Sequence, residues 1–384
     1  MATEIRSLID EGAARLARVS DEPRREAEVL LGEALGRPRA WLLAHPEERI
    51  LDCEATDRYE ALVTRRALGE PVAYLLGEKE FWSLSLAIGP GVLIPRPETE
   101  RLVECALAHL PADRSCDVLD LATGSGAVAL AIAAERPHAR VLATDLSEAA
   151  VDTARTNAAR LGLGQRVAVH AGAWYEPVAG RRFDVIVSNP PYIAAADPRV
   201  APAVRRYEPP QALFAGADGL EALRAVVGGA PGHLVPGGWL LVEHGDTQGA
   251  AVRELLEAGG FEQVQTHRDL AGRERCTEGC RPGRESSSVF GDSIAGPSRS
   301  RSRILGVQPA TGYPRCPYLK PSSPCSATSK STPPRPTRPR RRRRCSSHAA
   351  CRSAPARCRP PPSAASRPNS TACSRPRPTR RRWR

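Results

Sequence analysis

The first seventy residues carry apolar positions at helical spacing, beginning with Ile5, Leu8, Ile9 and Leu16. This period predicts an amphipathic helix with one buried face. Asp21 is placed to cap a second helix that has Pro23 in its first turn, and a longer helix is expected from 57 to 68. Residues 1–70 are therefore predicted to form a small helical bundle.

The period changes to two between residues 71 and 100. Large apolar residues alternate with small or polar ones at Trp82, Leu84, Leu86 and Ile88. Such alternation is typical of a half-buried strand, and segment 92–94 is expected to pair back on it after a Gly-Pro-Gly turn. Residues 95–100 then begin a helix, because proline and acidic residues favour the first turn. We predict a β-hairpin linker here.

From about 101 to 285, short apolar runs alternate with helical stretches. Strands are predicted at 118–121, 140–144, 166–170, 183–187, 238–243 and 261–266. Strands that alternate with helices are the pattern of an α/β fold with a parallel sheet. Ligands bind such sheets at the carboxyl ends of the strands, so the residues that follow each run are the candidates for function.

A glycine-containing turn follows the first of these strands, in the sequence Asp120-Leu121-Ala122-Thr123-Gly124-Ser125-Gly126. A strand, a glycine turn and a helix let a nucleoside cofactor lie against bare backbone. The turn lacks the third spaced glycine of the dinucleotide fingerprint, and it is not a Gly-x4-Gly-Lys-Ser/Thr phosphate loop. A generic nucleotide site or a plain strand-to-helix turn explains it nearly as well.

The second strand ends in Asp145, about twenty residues after the glycines. A carboxylate at that place can accept both hydroxyls of a ribose. The alternative is that Asp145 is an N-cap for the helix predicted over 147–161.

Strand 183–187 is followed by Ser188 and the turn Asn189-Pro190-Pro191-Tyr192. The Asn189 side-chain oxygen and the Pro190 carbonyl can each accept one hydrogen from a planar NH2 group, while Tyr192 packs on its plane. The prolines hold this geometry before a substrate arrives. Ordinary turn chemistry is the alternative, but the order of the three features along the chain favours a site.

These motifs resemble the class I S-adenosylmethionine-dependent methyltransferases, and more narrowly the family that methylates glutamine in peptide chain release factors (PrmC/HemK). The narrower resemblance rests on segments 71–77, 94–100 and 189–193. It extends from about residue 5 to residue 282. The family has glycine at the position of Ala122 and a branched apolar residue at that of Cys276, so both positions depart from its pattern.

The resemblance implies a seven-stranded, mostly parallel Rossmann-like sheet whose last strand, 274–278, is antiparallel. It implies S-adenosyl-L-methionine as cofactor and class-I release factors as protein partners, with methyl transfer to N5 of the glutamine in their Gly-Gly-Gln motif. The implied cofactor-binding residues are Asp120, Ala122, Thr123, Gly124, Ser125, Gly126, Asp145, Trp174 and Asn189. Trp174 would contact adenine, although covering the sheet edge would also explain it.

The implied catalytic residues are Asn189, Pro190 and Tyr192, which bind the substrate together with Pro191. The cofactor carries an activated methyl group, so neither a metal nor a covalent nucleophile is required. The turn would hold the reluctant amide nitrogen in line with that methyl and offset the developing charge. No side chain is expected to be an obligatory base.

The charge is divided unequally along the chain. Residues 286–384 hold 23 basic residues and one acid, whereas residues 1–285 hold 32 basic and 42 acidic residues. The basic segment is rich in Arg, Pro and Ser and lacks apolar periodicity, which predicts disorder. It is either an arm that binds RNA through phosphates or the product of a shifted reading frame, and the second explanation is favoured.

The scattered cysteines of the first 285 residues indicate a reducing cytoplasm rather than a disulfide framework. No signal peptide and no membrane span are expected. Cys276-x3-Cys280 has no partner pair at finger spacing, so no metal site is expected. Two other functions stay open: methylation of an exocyclic amine of DNA or RNA, and RNA binding through the basic tail.

Overall fold

The structure is a computed structural model, and it describes residues 3–283. The predicted disorder and nucleic-acid binding of residues 286–384 fall outside these residues. Among the helices of 3–283, none combines the length and the apolar character that crossing a membrane requires.

The amino-terminal region is a helical bundle with one short antiparallel strand pair. Its elements are β1 Thr3–Glu4, α1 Ile5–Leu16, α2 Pro23–Leu35, α3 Arg39–Ala44, β2 Arg49–Ile50, α4 Cys53–Ala67 and α5 Val72–Leu76. Helix α4 begins four residues before its predicted start, because the Asp52 side chain accepts a hydrogen bond of 3.1 Å from the Ala55 amide. The predicted cap by Asp21 is wrong: α2 is preceded by Glu22, without a side-chain cap.

A tight hairpin follows, formed by β3 Glu78–Phe81 and β4 Leu84–Ala87. Its two-residue turn is Trp82-Ser83, with φ of 52° and 58°, which is the geometry that suits a hairpin. The predicted pairing with 92–94 is wrong, because β4 pairs with β3 and segment 92–94 forms no strand. Segment 92–94 instead is held by the Tyr74 hydroxyl, which donates to the Val92 carbonyl at 2.7 Å.

The remaining elements alternate along the chain. After a 3-10 turn at Pro97–Thr99 come α6 Glu100–His109, β5 Cys116–Leu121, α7 Ala127–Glu135, β6 Ala139–Asp145, α8 Glu148–Arg160, β7 Val167–Ala171, a 3-10 turn at Glu176–Val178, β8 Phe183–Ser188, α9 Pro202–Tyr207, α10 Pro210–Leu213, α11 Glu221–His233, β9 Leu234–Glu243, α12 Gly249–Ala258, β10 Glu262–Arg268 and β11 Glu274–Cys280.

Seven strands form one sheet in the order β10-β11-β9-β8-β5-β6-β7. Strand β11 is antiparallel to both neighbours, and the other pairings are parallel. The predicted seven-stranded, mostly parallel sheet is confirmed. Apolar residues of α6, α7 and α8 pack on one face, and those of α11 and α12 pack on the other.

The strand register decides which residues meet at the edge of the sheet. Leu121 is paired with Thr144 of β6 and with Ser188 of β8, and Ser188 is paired with Val242 of β9. The residues that follow these strand ends therefore come together at one edge. This is where parallel sheets bind ligands.

Candidate functional site

A cavity of about 1080 Å³, including its open mouth, lies at the carboxyl ends of β5, β6 and β8. Eight of the nine predicted cofactor-binding residues line it: Asp120, Ala122, Thr123, Gly124, Ser125, Asp145, Trp174 and Asn189. Gly126 is the exception. A side chain there would come within 3.1 Å of Leu130 and 3.2 Å of Ala154, so this glycine allows close helix packing.

The turn after β5 presents its backbone to the cavity. Gly124 has φ of 58°, and a Cβ added to it would have no neighbour within 4 Å, so the space beside it is free for a ligand. Asn157, which is fully buried in α8, supports the turn by donating to the Ser125 carbonyl at 2.9 Å. Ala122 has φ of 55°, a left-handed conformation that glycine adopts without cost.

Asp120 fixes this turn from beneath. Its Oδ2 accepts hydrogen bonds from the Thr123 hydroxyl at 2.6 Å and from the Ala129 amide at 3.2 Å. Burial raises the pKa of Asp120 to about 7, although these two donors act to lower it. The carboxyl group thus joins the turn to the first turn of α7.

Asp145 connects two segments of the cavity wall. Its Oδ2 accepts from the Gly124 amide at 2.8 Å, and its Oδ1 accepts from the Ser147 amide at 2.9 Å. The N-cap of α8 is Ser147, so the alternative in which Asp145 is the N-cap is wrong. A carboxylate has about four lone-pair sites, and both oxygens of Asp145 therefore retain capacity for ligand hydroxyls.

Trp174 lines the cavity and also packs against the core beneath it. Its position is therefore compatible both with contact to adenine and with covering the edge of the sheet. Leu146 is a second apolar neighbour of the cavity and is 72% exposed, and sequence reasoning missed it. The available signal was a large apolar residue directly after the acid at a strand end.

A second cavity, a groove, begins where the first one ends. Leu93, Asn189 and Ala212 line both. Pro190 and Tyr192 line only the groove, whereas Pro191 lines only the first cavity. The turn at 189–192 thus forms part of the wall between the two spaces.

A chain of hydrogen-bonding groups fixes the Asn189 side chain. Its Nδ2 donates to the Thr99 hydroxyl at 3.1 Å, and this hydroxyl interacts with Glu243 and lowers the pKa of that carboxyl group. Because the amide nitrogen is held by Thr99, the orientation of the Oδ1 end is fixed as well. Thr99 is 3% exposed. Sequence reasoning took it only as part of a helix start.

Glu243 is buried beneath the turn at the end of β9. Its Oε1 accepts from the Tyr192 hydroxyl at 3.1 Å, whereas Oε2 has no partner of good hydrogen-bond geometry among residues 3–283. Burial raises the pKa of Glu243 to about 7, against the opposing effects of Thr99, Arg275 and Tyr192. Sequence reasoning missed this residue, although an acid at a strand's carboxyl end was the available signal.

Comparison with known proteins identifies the family. A family profile described as the PrmC N-terminal domain matches residues 7–77, and one described as a methyltransferase small domain matches residues 101–205. A release factor glutamine methyltransferase of Xylella fastidiosa strain Temecula1 is 54% identical over 258 residues, which cover 67% of this chain and 93% of the relative. The chain belongs to the release factor glutamine methyltransferase family.

Two further matches carry the same name or a closely related one. The release factor glutamine methyltransferase of Pseudomonas aeruginosa PAO1 is 52% identical over 68% of this chain and 93% of its own length. The solved structure of a release-factor-specific protein-(glutamine-N5) methyltransferase from Alicyclobacillus acidocaldarius is 32% identical, covers 51% of this chain and 98% of that chain, and has a TM-score of 0.32.

The predictions of family, methyltransferase activity and cofactor are thereby confirmed: the chain is a methyltransferase that uses S-adenosylmethionine. The cavity fits a nucleoside of this kind. Bare backbone at Gly124 leaves space for it. The Asp145 carboxylate has acceptor capacity left for hydroxyl groups, and Leu146 and Trp174 give the cavity wall two apolar side chains.

The methyltransferase holds its substrate-side turn in place through two further contacts. Gln248 donates from Nε2 to the Tyr192 carbonyl at 3.0 Å. Gly219 lies so close that a Cβ there would approach the same carbonyl to 2.5 Å.

Glu208, which is 3% exposed, binds the Arg96 side chain and accepts from the Ile94 amide at 3.2 Å. Pro95 lines the cavity and Arg96 lines the groove, so the segment at 94–96 borders both spaces.

Proposed function

We propose that the enzyme transfers the methyl group to N5 of a glutamine side chain of a class-I release factor, and that transfer occurs at Asn189. The supporting observation is that Asn189 lies on the wall shared by the cavity and the groove. A donor in the one space and an amide in the other would meet there. The names of the relatives support the substrate, and this geometry supports Asn189 as the place of transfer.

The cavity residues bind and orient the donor. When bound, S-adenosylmethionine supplies a methyl group activated by a sulfonium. Asp145 accepts the ribose hydroxyls, while its bonds to Gly124 and Ser147 hold it in position. The backbone at Gly124 would lie against the nucleoside, and Trp174 and Leu146 would hold the adenine between apolar side chains.

The turn at 189–192 binds and orients the acceptor. Asn189 Oδ1 and the Pro190 carbonyl each accept one hydrogen of the glutamine NH2 group, and Tyr192 packs on the plane of the amide. These acceptors hold the nitrogen in line with the methyl group and offset the positive charge that develops on it. Positioning carries most of the catalysis, and the proton leaves to water.

Thr99 and Glu243 are positioning residues for this turn. The Thr99 hydroxyl holds the nitrogen end of the Asn189 amide, which directs the oxygen end to the substrate. Glu243 holds the Tyr192 hydroxyl, and its burial beneath the turn keeps water away from the far side of the site. Neither residue touches the reacting atoms.

The groove and the amino-terminal bundle would hold the rest of the release factor. The groove is lined by both cationic and anionic groups, including Arg96, Arg199, Asp197 and Asp218, which suits a polar protein segment. We infer a substrate-binding domain at 1–70, a linker at 71–100 and a catalytic domain at 101–285. We also infer a cytoplasmic enzyme, because its substrate is a translation factor.

A direct assay tests this proposal. Labelled methyl transfer is measured with a release factor, with its variant in which the glutamine is replaced by alanine, and with duplex DNA. We expect transfer to the first substrate only. Transfer to DNA would favour the exocyclic-amine alternative, and equal labelling of the alanine variant would remove the glutamine assignment.

A further inference from the structure

Five residues of metal-binding types meet outside the cavity and the groove. Cys105 and His109 come from α6, His267 from β10, and Cys276 and Glu278 from β11. We call this set the Cys/His/Glu cluster. None of its members lines either of the two spaces described above, and the methyl-transfer site makes no use of them.

The regular elements explain why these residues meet. Cys105 and His109 are four positions apart in α6 and so lie on one face of that helix, while Cys276 and Glu278 are two positions apart in β11 and so lie on one face of the sheet. His267 is directly opposite Cys276 across the β10–β11 pair. Helix α6 packs against β11. Residues far apart in sequence are thus brought together by three rigid elements.

The donor atoms are already close together. One donor atom each of Cys105, His267 and Glu278 lies within 4.8 Å of the other two. His267 Nε2 is 3.0 Å from Glu278 Oε1, yet this buried nitrogen has no hydrogen bond of good geometry within residues 3–283. This nitrogen therefore makes no well-directed hydrogen bond within the trio, and it would bind an ion in its neutral form.

Cys276 and His109 surround this trio. The Cys276 thiol is an electrostatic neighbour of the Cys105 thiol, and Cys276 is fully buried. His109 Nε2 lies 3.0 Å from Glu278 Oε2. The His109 ring stacks on Trp239 with a centroid distance of 3.8 Å, which shields the cluster on that side.

We propose that the Cys/His/Glu cluster binds a divalent ion of the zinc class through Cys105, His267 and Glu278, with Cys276 as the fourth ligand. Thiolate, imidazole and carboxylate are the donors that zinc takes in tetrahedral sites, where neighbouring ligand atoms are about 3–4 Å apart. The separations among Cys105, His267 and Glu278 need only a small closure, and the fully buried Cys276 would complete the set. His109 orients the carboxylate from outside the coordination sphere.

The charges around the site are consistent with such an ion. Two thiolates and one carboxylate carry three negative charges, so a divalent cation leaves one of them unbalanced. The positive Arg101 guanidinium, an electrostatic neighbour of Cys105, offsets that remaining charge. The sequence led us to expect no metal, because Cys276 and Cys280 lack a partner pair at finger spacing. The folded chain supplies different partners, and Cys280 is not among them.

A bound ion would tie α6 to the antiparallel edge of the sheet. Helix α6 begins at Glu100, directly after Thr99, and Thr99 holds the Asn189 amide. The ion would therefore stabilise the element from which the site is positioned, without taking part in methyl transfer. Its function would be structural.

The test uses the full chain, reduced and freed of metal, and titrates it with Zn²⁺ and with Co²⁺. Six further cysteines lie beyond residue 285, so binding is read as the difference between variants. The variants are Cys105→Ser, Cys276→Val and, as a matched control on the same strand, Cys280→Ser. Valine preserves the volume and the apolar character of position 276, so that this variant is expected to fold.

We expect one more Zn²⁺ per chain in the wild type and in Cys280→Ser than in Cys105→Ser. The bound Co²⁺ should show thiolate charge-transfer absorption in the same two proteins only. We expect the Cys276→Val variant to bind Zn²⁺ at least about 10-fold more weakly than the wild type, and His109→Gln about 10–100-fold more weakly. Zn²⁺ should also slow alkylation of Cys105.

Three results would overturn the proposal. The first is equal Zn²⁺ stoichiometry in the wild type and in Cys105→Ser. The second is unchanged affinity in the folded Cys276→Val variant together with no Co²⁺ thiolate band. The third is a Cys105–Cys276 disulfide that remains after treatment with a reductant, since it would leave neither sulfur free to bind an ion.

Discussion

At the scale of single residues, the site depends on side chains that hold other side chains. Asn189 is held by Thr99, and Tyr192 by Glu243. The sequence predicted Asn189 and Tyr192 because they belong to a recognisable turn. It could not predict their supports, since Thr99 and Glu243 are distant in the chain and each looks like an ordinary element end.

Replacing Asn189 by alanine tests the acceptor of the substrate amide. Turnover should fall by about 100-fold or more, because a preorganised contact that stabilises developing charge is lost. Cofactor affinity, measured by isothermal titration, should fall far less than turnover, since Asn189 is one of many residues that line the cavity. Unchanged turnover would remove Asn189 from the mechanism.

Thr99→Val tests the positioning of Asn189, with Thr99→Ser as its matched control. Valine keeps the shape but leaves the Asn189 amide without its acceptor, and an unsatisfied group costs about 1–3 kcal/mol. We expect kcat to fall by about 10-fold or more with KM for the release factor little changed, and serine to restore most of it. A valine variant as active as the wild type would show that Asn189 needs no such support.

Glu243→Gln tests the buried acid through pH. The folded state keeps the Glu243 proton up to about pH 7, whereas the unfolded chain releases it near pH 4.5. The contribution of Glu243 to the free energy of unfolding of the wild type is therefore lost as pH rises from about 4.5 to about 7. The glutamine variant should gain stability relative to wild type across this window, by about 1–3 kcal/mol above pH 7.

Thermal melts at pH 5 and pH 8 measure this difference. The charged or titratable neighbours of Glu243, namely Arg275, Tyr192 and Glu98, are the same in both proteins, so their own titration largely cancels. A stability difference that is independent of pH would contradict the raised pKa.

At the scale of elements, the strands of the sheet were predictable because buried parallel strands are short β-branched runs. The position of the hairpin turn was not, because Trp82-Ser83 adopts a left-handed turn without glycine or asparagine. The usual signal for such a turn was therefore missing. The Cys/His/Glu cluster was also beyond prediction, since its residues come from elements that only the sheet order brings together.

Gly219→Ala tests the contact between the loop before α11 and the substrate-side turn. The new Cβ would lie 2.5 Å from the Tyr192 carbonyl oxygen, so the turn must move. A displacement of about 1 Å in a positioning group can cost about 100-fold in rate. Activity per folded molecule should therefore fall strongly.

Gly180→Ala is the matched control. Gly180 has φ of 76°, close to the 74° of Gly219, but a Cβ there meets nothing within 4 Å. Both variants should lose stability through backbone strain, by about 1 kcal/mol or more, and only Gly219→Ala should lose turnover. Equal loss of turnover in both would mean that strain alone, and not displacement of the turn, is responsible.

At the scale of the whole molecule, the two parts of the chain differ in charge. Residues 1–285 carry 32 basic and 42 acidic residues, whereas 286–384 carry 23 basic residues and one acid. An acidic catalytic part repels a phosphate backbone, which agrees with a protein substrate. The basic part lies outside the residues that the structure describes.

Removal of residues 286–384 separates catalysis from nucleic-acid binding. We expect the shortened chain to retain most of its methyl transfer to a release factor, because the whole site lies before residue 284. Any salt-dependent binding to RNA should disappear with the 23 basic residues. Loss of methyl transfer in a shortened chain that still folds would give the tail a catalytic role.

The wall shared by the cavity and the groove at Leu93, Asn189 and Ala212 also acts as a ruler. A side chain that enters from the groove must be long enough to bring its nitrogen to within about 3–3.5 Å of the methyl carbon. Asparagine is one methylene shorter than glutamine, which withdraws its nitrogen by more than about 1 Å. If transfer occurs at Asn189 as proposed, the partition would discriminate between two chemically identical amides by reach.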